Sequence, residues 1–369
     1  MAEDSQSAGG QKLASAQGRG ANSYDLVRFL AAAAVLFSHH FALAGFEEPP
    51  VPLYGEDFGK LAVEVFFCLS GFLICQSLAK SSDAAEFVSA RVLRIFPNLT
   101  LALAVSSVFT LLWYGNYDHL WPHLNYVLSN LLMFVRGVAF VIPGIFEDAH
   151  NHAVNGPLWS LPIELWSYAF LFLVFALSPR SQGVWIPVCA VALGVVWGSG
   201  HLVEGMKLGP LDGFQFFRLA SYFFAGATLA VWWQPIKRYA FPLGIVALVL
   251  TIGLRELWPA NTVFHSLSLA LAVVGLGSAR KMAWFSKGGD ASYGMYIFAW
   301  PVQQFCLLLI PGFWLSLVSA FLMTTLIGYA TWHSFERRIM TYRFRLAERI
   351  KFHLGIKHSL KVSRGDPRG

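Results

Sequence analysis

Eleven stretches of this 369-residue chain are apolar over roughly the length of a bilayer-crossing helix, and they limit its fold more than any other feature. They run at about 26–46, 58–79, 98–114, 125–142, 158–178, 184–200, 213–233, 241–257, 262–279, 291–311 and 313–335. In hydrocarbon every backbone N–H and C=O must be satisfied within the segment, so such stretches become helices. Only 13% of the residues are charged, against about 25% in a typical soluble domain. The chain reads as an all-α polytopic membrane protein.

Lys and Arg decide between ten spans and eleven. If 125–142 does not span, the connections at 80–97, 179–183, 234–240 and 280–290 share one side with both termini, and that side holds 21 of the 27 basic residues. The other side keeps acidic, proline-containing loops such as EEPPVPLYGED and FEDAHNH. Basic loops stay cytoplasmic, so about ten transmembrane helices with both termini in the cytoplasm are expected. Segment 125–142 contains Arg136 and ends in Ile-Pro-Gly, which predicts one extra interfacial or re-entrant helix.

Residues 1–23, rich in Ser, Gly, Gln and Ala, are expected as a disordered cytoplasmic tail rather than a cleaved leader. The transmembrane domain then covers 24–338, and 339–369 forms a basic cytoplasmic tail. Within Phe335–Lys361, Arg and Lys alternate with Phe, Leu and Ile, which suits a basic amphipathic helix on anionic lipids. The net charge of +6 is explained by topology, and no nucleic-acid partner is expected. The four cysteines fall inside apolar segments without zinc-like spacing, so neither disulfides nor a metal are expected.

The first apolar stretch, YDLVRFLAAAAVLFSHHF, carries Arg28 near its start and His39 and His40 near its end. At about 100° per residue, Arg28 and His39 lie on one helix face, roughly 16 Å apart along the axis. Ionisable groups are costly in lipid and mark a partner or a task, although Arg28 snorkelling to the headgroups is the simpler alternative.

Given the topology, His39, Glu64 and Glu164 all sit roughly 10 Å below the outer surface. A histidine and two carboxylates at one level suit general acid/base work, because a carboxylate orients an imidazole and raises its basicity. Alternatively Glu64 pairs with Lys60 one turn away, and Glu164 is held locally. At the cytoplasmic end, Arg28 meets Arg91 and Arg94 of the connection ARVLRIFPN. Three guanidiniums there suit phosphate oxygens, or else enforce topology and bind lipid headgroups. Coenzyme A fits both ends, with a phosphorylated head and a thin arm ending in a thioester.

From Tyr24 to Arg338 the chain resembles the acyltransferase family 3 membrane proteins, which modify bacterial surface and secreted glycans. Five motifs carry the resemblance in order: Arg28 with His39, VEVFFCLSGFLI at 63–74, Arg91/Arg94/Ile95/Pro97, NGPLWSLPIEL at 155–165, and GDASYGMYIFAWPVQQ at 288–304. The resemblance implies His39 as base or acyl carrier, Arg28 as its companion, and Arg91 and Arg94 at the acyl donor. Glu164 falls in its WSLxxE stretch, while Trp159, Tyr293 and Tyr296 are expected on the substrate side. Where many relatives carry a histidine two residues before the late proline, this chain has Ala299. No appended hydrolase domain is expected.

The implied activity is O-acyl transfer, most readily O-acetyl transfer, from cytoplasmic acetyl-CoA to a saccharide or lipid-linked glycan, at the inner membrane and without a metal. Succinyl or longer donors remain open. A glycolipid or anionic-solute transporter is the rival reading, although the sequence lacks paired broken helices or internal repeats.

Overall fold

A computed structural model describes residues 22–52, 54–81, 83–115, 120–253, 261–279 and 282–353. Its principal helices are α1 (Tyr24–Leu43), α2 (Phe58–Lys80), α3 (Ala84–Tyr114) and α4 (Leu120–Leu131). They continue with α5 (Ser160–Leu177), α6 (Gln182–Gly198), α7 (Gly213–Val231) and α8 (Ala240–Gly253). The last are α9 (Thr262–Gly277), α10 (Ser292–Leu309), α11 (Phe313–Thr331) and α12 (Arg343–His353). A two-residue hairpin, β1 (Lys207–Leu208) and β2 (Leu211–Asp212), precedes α7.

Among the described residues, six helical stretches are long and apolar enough to cross a bilayer, and α6, α8 and α9 are shorter apolar helices. Their outer faces carry exposed apolar side chains at helical spacing, such as Val184, Val188, Val191 and Val195 on α6 and Leu315, Val318 and Leu322 on α11. In water such faces would drive aggregation; in a bilayer they meet lipid tails. The protein is a multi-pass helical membrane protein.

Local chemistry starts the helices where they start. Asp57, Asp83 and Asp212 each sit at an N-cap, and their side chains accept the backbone N–H of Lys60, Glu86 and Gln215. That satisfies donors which the first turn leaves without a partner.

The closest helix pair is α2 with α7. A Cβ on Gly71 would lie 1.8 Å from the Phe223 carbonyl oxygen, and one on Gly226 would lie 2.0 Å from that of Cys68. Only glycine lets two backbones approach so closely. Gly244 and Gly275 make the same kind of contact between α8 and α9.

Two expectations are corrected. The apolar run 125–142 is not one helix: α4 ends at Leu131, a single turn follows at Met133–Arg136, and 137–155 folds inward as an irregular segment. Ile142, Ile145 and Phe146 are buried there, so the run's hydrophobicity reports a core and not a helix. Asn130 holds the segment, donating to the Ala139 carbonyl and accepting the Ala139 N–H.

The second correction concerns 80–97, read as a connection. Most of it is helix, because α3 starts at Ala84 and runs through Pro97. Arg91 and Arg94, three residues apart, therefore share a helix face. The basic helix expected over Phe335–Lys361 is present as far as the described residues extend: α11 runs on without a break, through a wide turn at Trp332–Glu336 and a tight one at Met340–Tyr342, into α12, which Lys351 ties to Asp83 at 2.5 Å. Residues 1–21 and 354–369 of the two expected tails lie outside the described residues.

Candidate active site

His39 lies on the last turns of α1, with 16% of its side chain exposed. Its Nδ1 is 3.3 Å from Oε1 of Glu48, and the Trp300 indole of α10 packs edge-on against its ring at 5.3 Å. Glu48 belongs to the strap 44–57 that joins α1 to α2. The Ser38 hydroxyl donates to the other oxygen of Glu48. The strap returns because Gly45 turns it with φ +81°, and because Val51 N–H bonds the Glu56 carbonyl at 2.8 Å. Burial pushes the Glu48 carboxyl up, but the hydrogen bonds and charge of His39, the Ser38 hydroxyl and the Lys60 ammonium outweigh it and bring it below the usual value.

The neighbouring His40 has a different task. It is fully buried, and the Gln303 amide donates to its Nδ1 at 3.2 Å. Its Nε2 then donates to the Ser316 hydroxyl at 3.0 Å, which itself donates to the Phe313 carbonyl. His40 pins α1 to α10 and α11 as a neutral imidazole.

Glu64 does not face His39. It accepts Nε and Nη2 of Arg218 on α7, at 3.1 and 2.5 Å, and the Tyr54 hydroxyl at 2.5 Å. Both charges are nearly fully buried, so the pair locks α2 to α7, while Tyr54 fastens the far end of the strap. Lys60, the partner considered for Glu64, pairs with Glu56 and Asp57 instead.

Glu164 is not level with Glu64. It accepts hydrogen bonds from Ser70 at 2.7 Å and from Tyr168. Ser70 is six residues below Glu64 on α2, about 9 Å of helix rise. Glu164 lines a narrow cavity of about 40 Å³ together with Arg28, Ser70, Ser160, Tyr293 and Tyr296. The Tyr293 hydroxyl donates to the Ile95 carbonyl at 2.8 Å, and that of Tyr296 to the Pro157 carbonyl at 3.0 Å. Trp159 packs against the core beside this cavity rather than lining it.

The three arginines converge, but two of them are already engaged. Arg28 and Arg94 both bind Asp290, and Arg94 also binds Glu336 at 2.5 Å. The Asn98 amide donates to the other Glu336 oxygen at 2.6 Å. Arg91 differs, since its buried Nε has no hydrogen-bond partner.

Four charged residues of these networks went unread in the sequence: Glu48, Arg218, Asp290 and Glu336. Arg218 had a signal, as an arginine inside the apolar stretch 213–233 is costly without a carboxylate. Asp290 sits in the GDASYG motif, next to the tyrosines singled out. Glu48 and Glu336 had none, being acidic residues among charged neighbours outside the apolar stretches.

A membrane-embedded bundle with a histidine–carboxylate pair at one end and an arginine-bordered cavity within it has the makings of a group-transfer enzyme. A family model described as an acyltransferase domain matches residues 22–333, and the chain belongs to that family, acyltransferase family 3. It is 27% identical to an O-acetyl transferase of Shigella phage Sf6, over 87% of this chain and 96% of the relative. It is 26% identical to nodulation protein 10 of Rhizobium leguminosarum bv. viciae, over 89% and 95%. Acyltransferase MdmB of Streptomyces mycarofaciens is 26% identical over 68% of this chain and 62% of the relative. No solved structure matches.

Proposed function

We propose that this acyltransferase is an O-acetyltransferase of the bacterial inner membrane, taking its acyl group from cytoplasmic acetyl-CoA and passing it to a saccharide hydroxyl. The observation that carries the reading is the narrow cavity inside the bundle, lined by both polar and apolar side chains and bordered by Arg28 on the same helix that bears His39. In this reading the donor's thin arm runs along it, from the cytoplasmic arginines toward His39. The O-acetyl transferase relative supports acetyl as the acyl group. The saccharide acceptor rests on the motifs shared with glycan-modifying family members.

The ten-span arrangement with both termini cytoplasmic belongs to this reading, supported by the distribution of basic residues. Arg91, with its Nε free of partners, is the donor's phosphate contact. Arg28 and Arg94 shape the cytoplasmic mouth from their Asp290 and Glu336 pairs, and Tyr293 and Tyr296 flank the arm. Nε2 of His39 takes the acceptor's hydroxyl proton as the oxygen attacks the thioester carbonyl. The new C–O bond forms, the C–S bond breaks, and the proton passes to the departing thiolate.

Purified protein tests this directly. Wild type and His39→Ala should both bind acetyl-CoA, only wild type should release CoA with acceptor present, and Arg91→Ala should bind weakly. Wild type that binds no acetyl-CoA sinks the reading.

A further inference from the structure

The strap between α1 and α2 has an anchor at each end. Tyr54 donates into the Glu64–Arg218 pair, and Glu48 accepts from Ser38 and meets His39. The first contact fastens the strap to a charge pair that is already complete. The second is different in kind. It spends one carboxylate oxygen on a serine and points the other at the ring of the histidine that shares a face with Arg28.

We propose that Glu48 is the positioning carboxylate of this centre: its Oε1 accepts the Nδ1 proton of His39 and leaves Nε2 as the nitrogen presented to the acceptor hydroxyl. This rests on His39 being the base, as read above. The geometry restricts the ring from three directions. Glu48 holds one nitrogen, the Trp300 edge closes one flank, and Ser38, on the residue before His39, holds Glu48 itself. Trp300 is in turn fixed by its indole N–H on the Ala153 carbonyl at 2.8 Å and by close packing on Gly156. Among the described residues no protein group bonds Nε2 of His39, and the side chain keeps 16% exposure. A carboxylate behind one imidazole nitrogen fixes which nitrogen carries the proton, and so which one can act as a base. Glu48 touches neither donor nor acceptor here and acts through His39.

The test uses the full-length protein in lipid nanodiscs, comparing wild type, Glu48→Gln, Glu48→Asp and His39→Ala. Glu48→Gln should lower kcat by about 10–100-fold, the usual cost of losing a carboxylate behind a functional histidine at metal centres. KM for acetyl-CoA should stay unchanged, and Glu48→Asp, which keeps the charge, should recover part of kcat. Ring-¹⁵N spectra of histidine-labelled protein provide a second readout. The His39 signal, assigned by its loss in His39→Ala, should report a proton on Nδ1 in wild type and lose that preference in Glu48→Gln. An unchanged kcat, a defect confined to KM or melting temperature, or identical His39 signals in wild type and Glu48→Gln overturns the proposal. The spectra need no turnover, so an inactive wild type would count against the proposed function while the role of Glu48 is still decided.

Discussion

Arg28 on α1 and Arg94 on α3 close on the same oxygen, Oδ2 of Asp290, at 3.1 and 2.5 Å. Two guanidiniums so placed repel each other unless the carboxylate stays between them. Asp290 is therefore a bolt through three helices. Asp290→Asn should destabilise the protein by about 3–5 kcal/mol, the cost of breaking a buried ion pair from one side. Thermal unfolding in detergent measures it, and an unchanged melting temperature would show that the arginines find other partners.

The adjacent histidines should separate cleanly. His39→Ala should abolish acyl transfer with little change in melting temperature, since its ring is partly exposed and makes a single hydrogen bond. His40→Ala removes the hydrogen bonds to the Gln303 amide and the Ser316 hydroxyl, which keep only the Leu36 and Phe313 carbonyls, at about 0.5–1.5 kcal/mol for each bond lost. Melting curves run beside activity assays test the pair, and the opposite pattern would reverse the two roles.

Glycine-to-alanine changes probe the α2–α7 contact. A methyl on Gly71 or Gly226 meets backbone carbonyls that no rotamer change can move aside. Each substitution should cost about 1–3 kcal/mol, as overpacking does, or more where the backbone cannot shift. Gly115, whose Cβ direction is open, is a poor comparison because its φ is +64°; Gly253, with open space and no such constraint, is the fair control.

Acid should loosen the strap. Glu48, facing His39, Ser38 and Lys60, has its carboxyl lowered in the folded state, so its contribution is complete above the ordinary value of about 4.5 and is lost as the pH falls through the depressed one. The melting-temperature gap between wild type and Glu48→Gln should therefore shrink as the pH falls below about 4.5. A gap that widens below that value would reverse the sign argued here.

The helical membrane architecture was legible because hydrocarbon permits few structures and leaves long apolar runs in the sequence. The one run misread as a helix, 125–142, shows the limit: Ile142, Ile145 and Phe146 are apolar because they fill a core, and hydropathy does not distinguish that from lipid exposure. The site was half legible. Arg28 and His39 share an element, so helix geometry alone relates them. The partners of His39 and Glu64 could not be derived in this way. Glu48 reaches His39 through a turn at Gly45, and Arg218 reaches Glu64 from a helix 154 positions away in the chain. The common level expected for Glu64 and Glu164 failed because Glu164 meets Ser70, six residues further along α2 than Glu64.

The glycine contacts between α2 and α7 have a kinetic corollary. Two helices whose backbones touch, and which share a buried Glu64–Arg218 pair, have no clearance to slide or rock against each other. A carrier that works by tilting one half against the other would need that seam to shear. In this chain the seam has no room for even a methyl group at Gly71 or Gly226, so rocking one helix on the other would first have to break the Glu64–Arg218 pair.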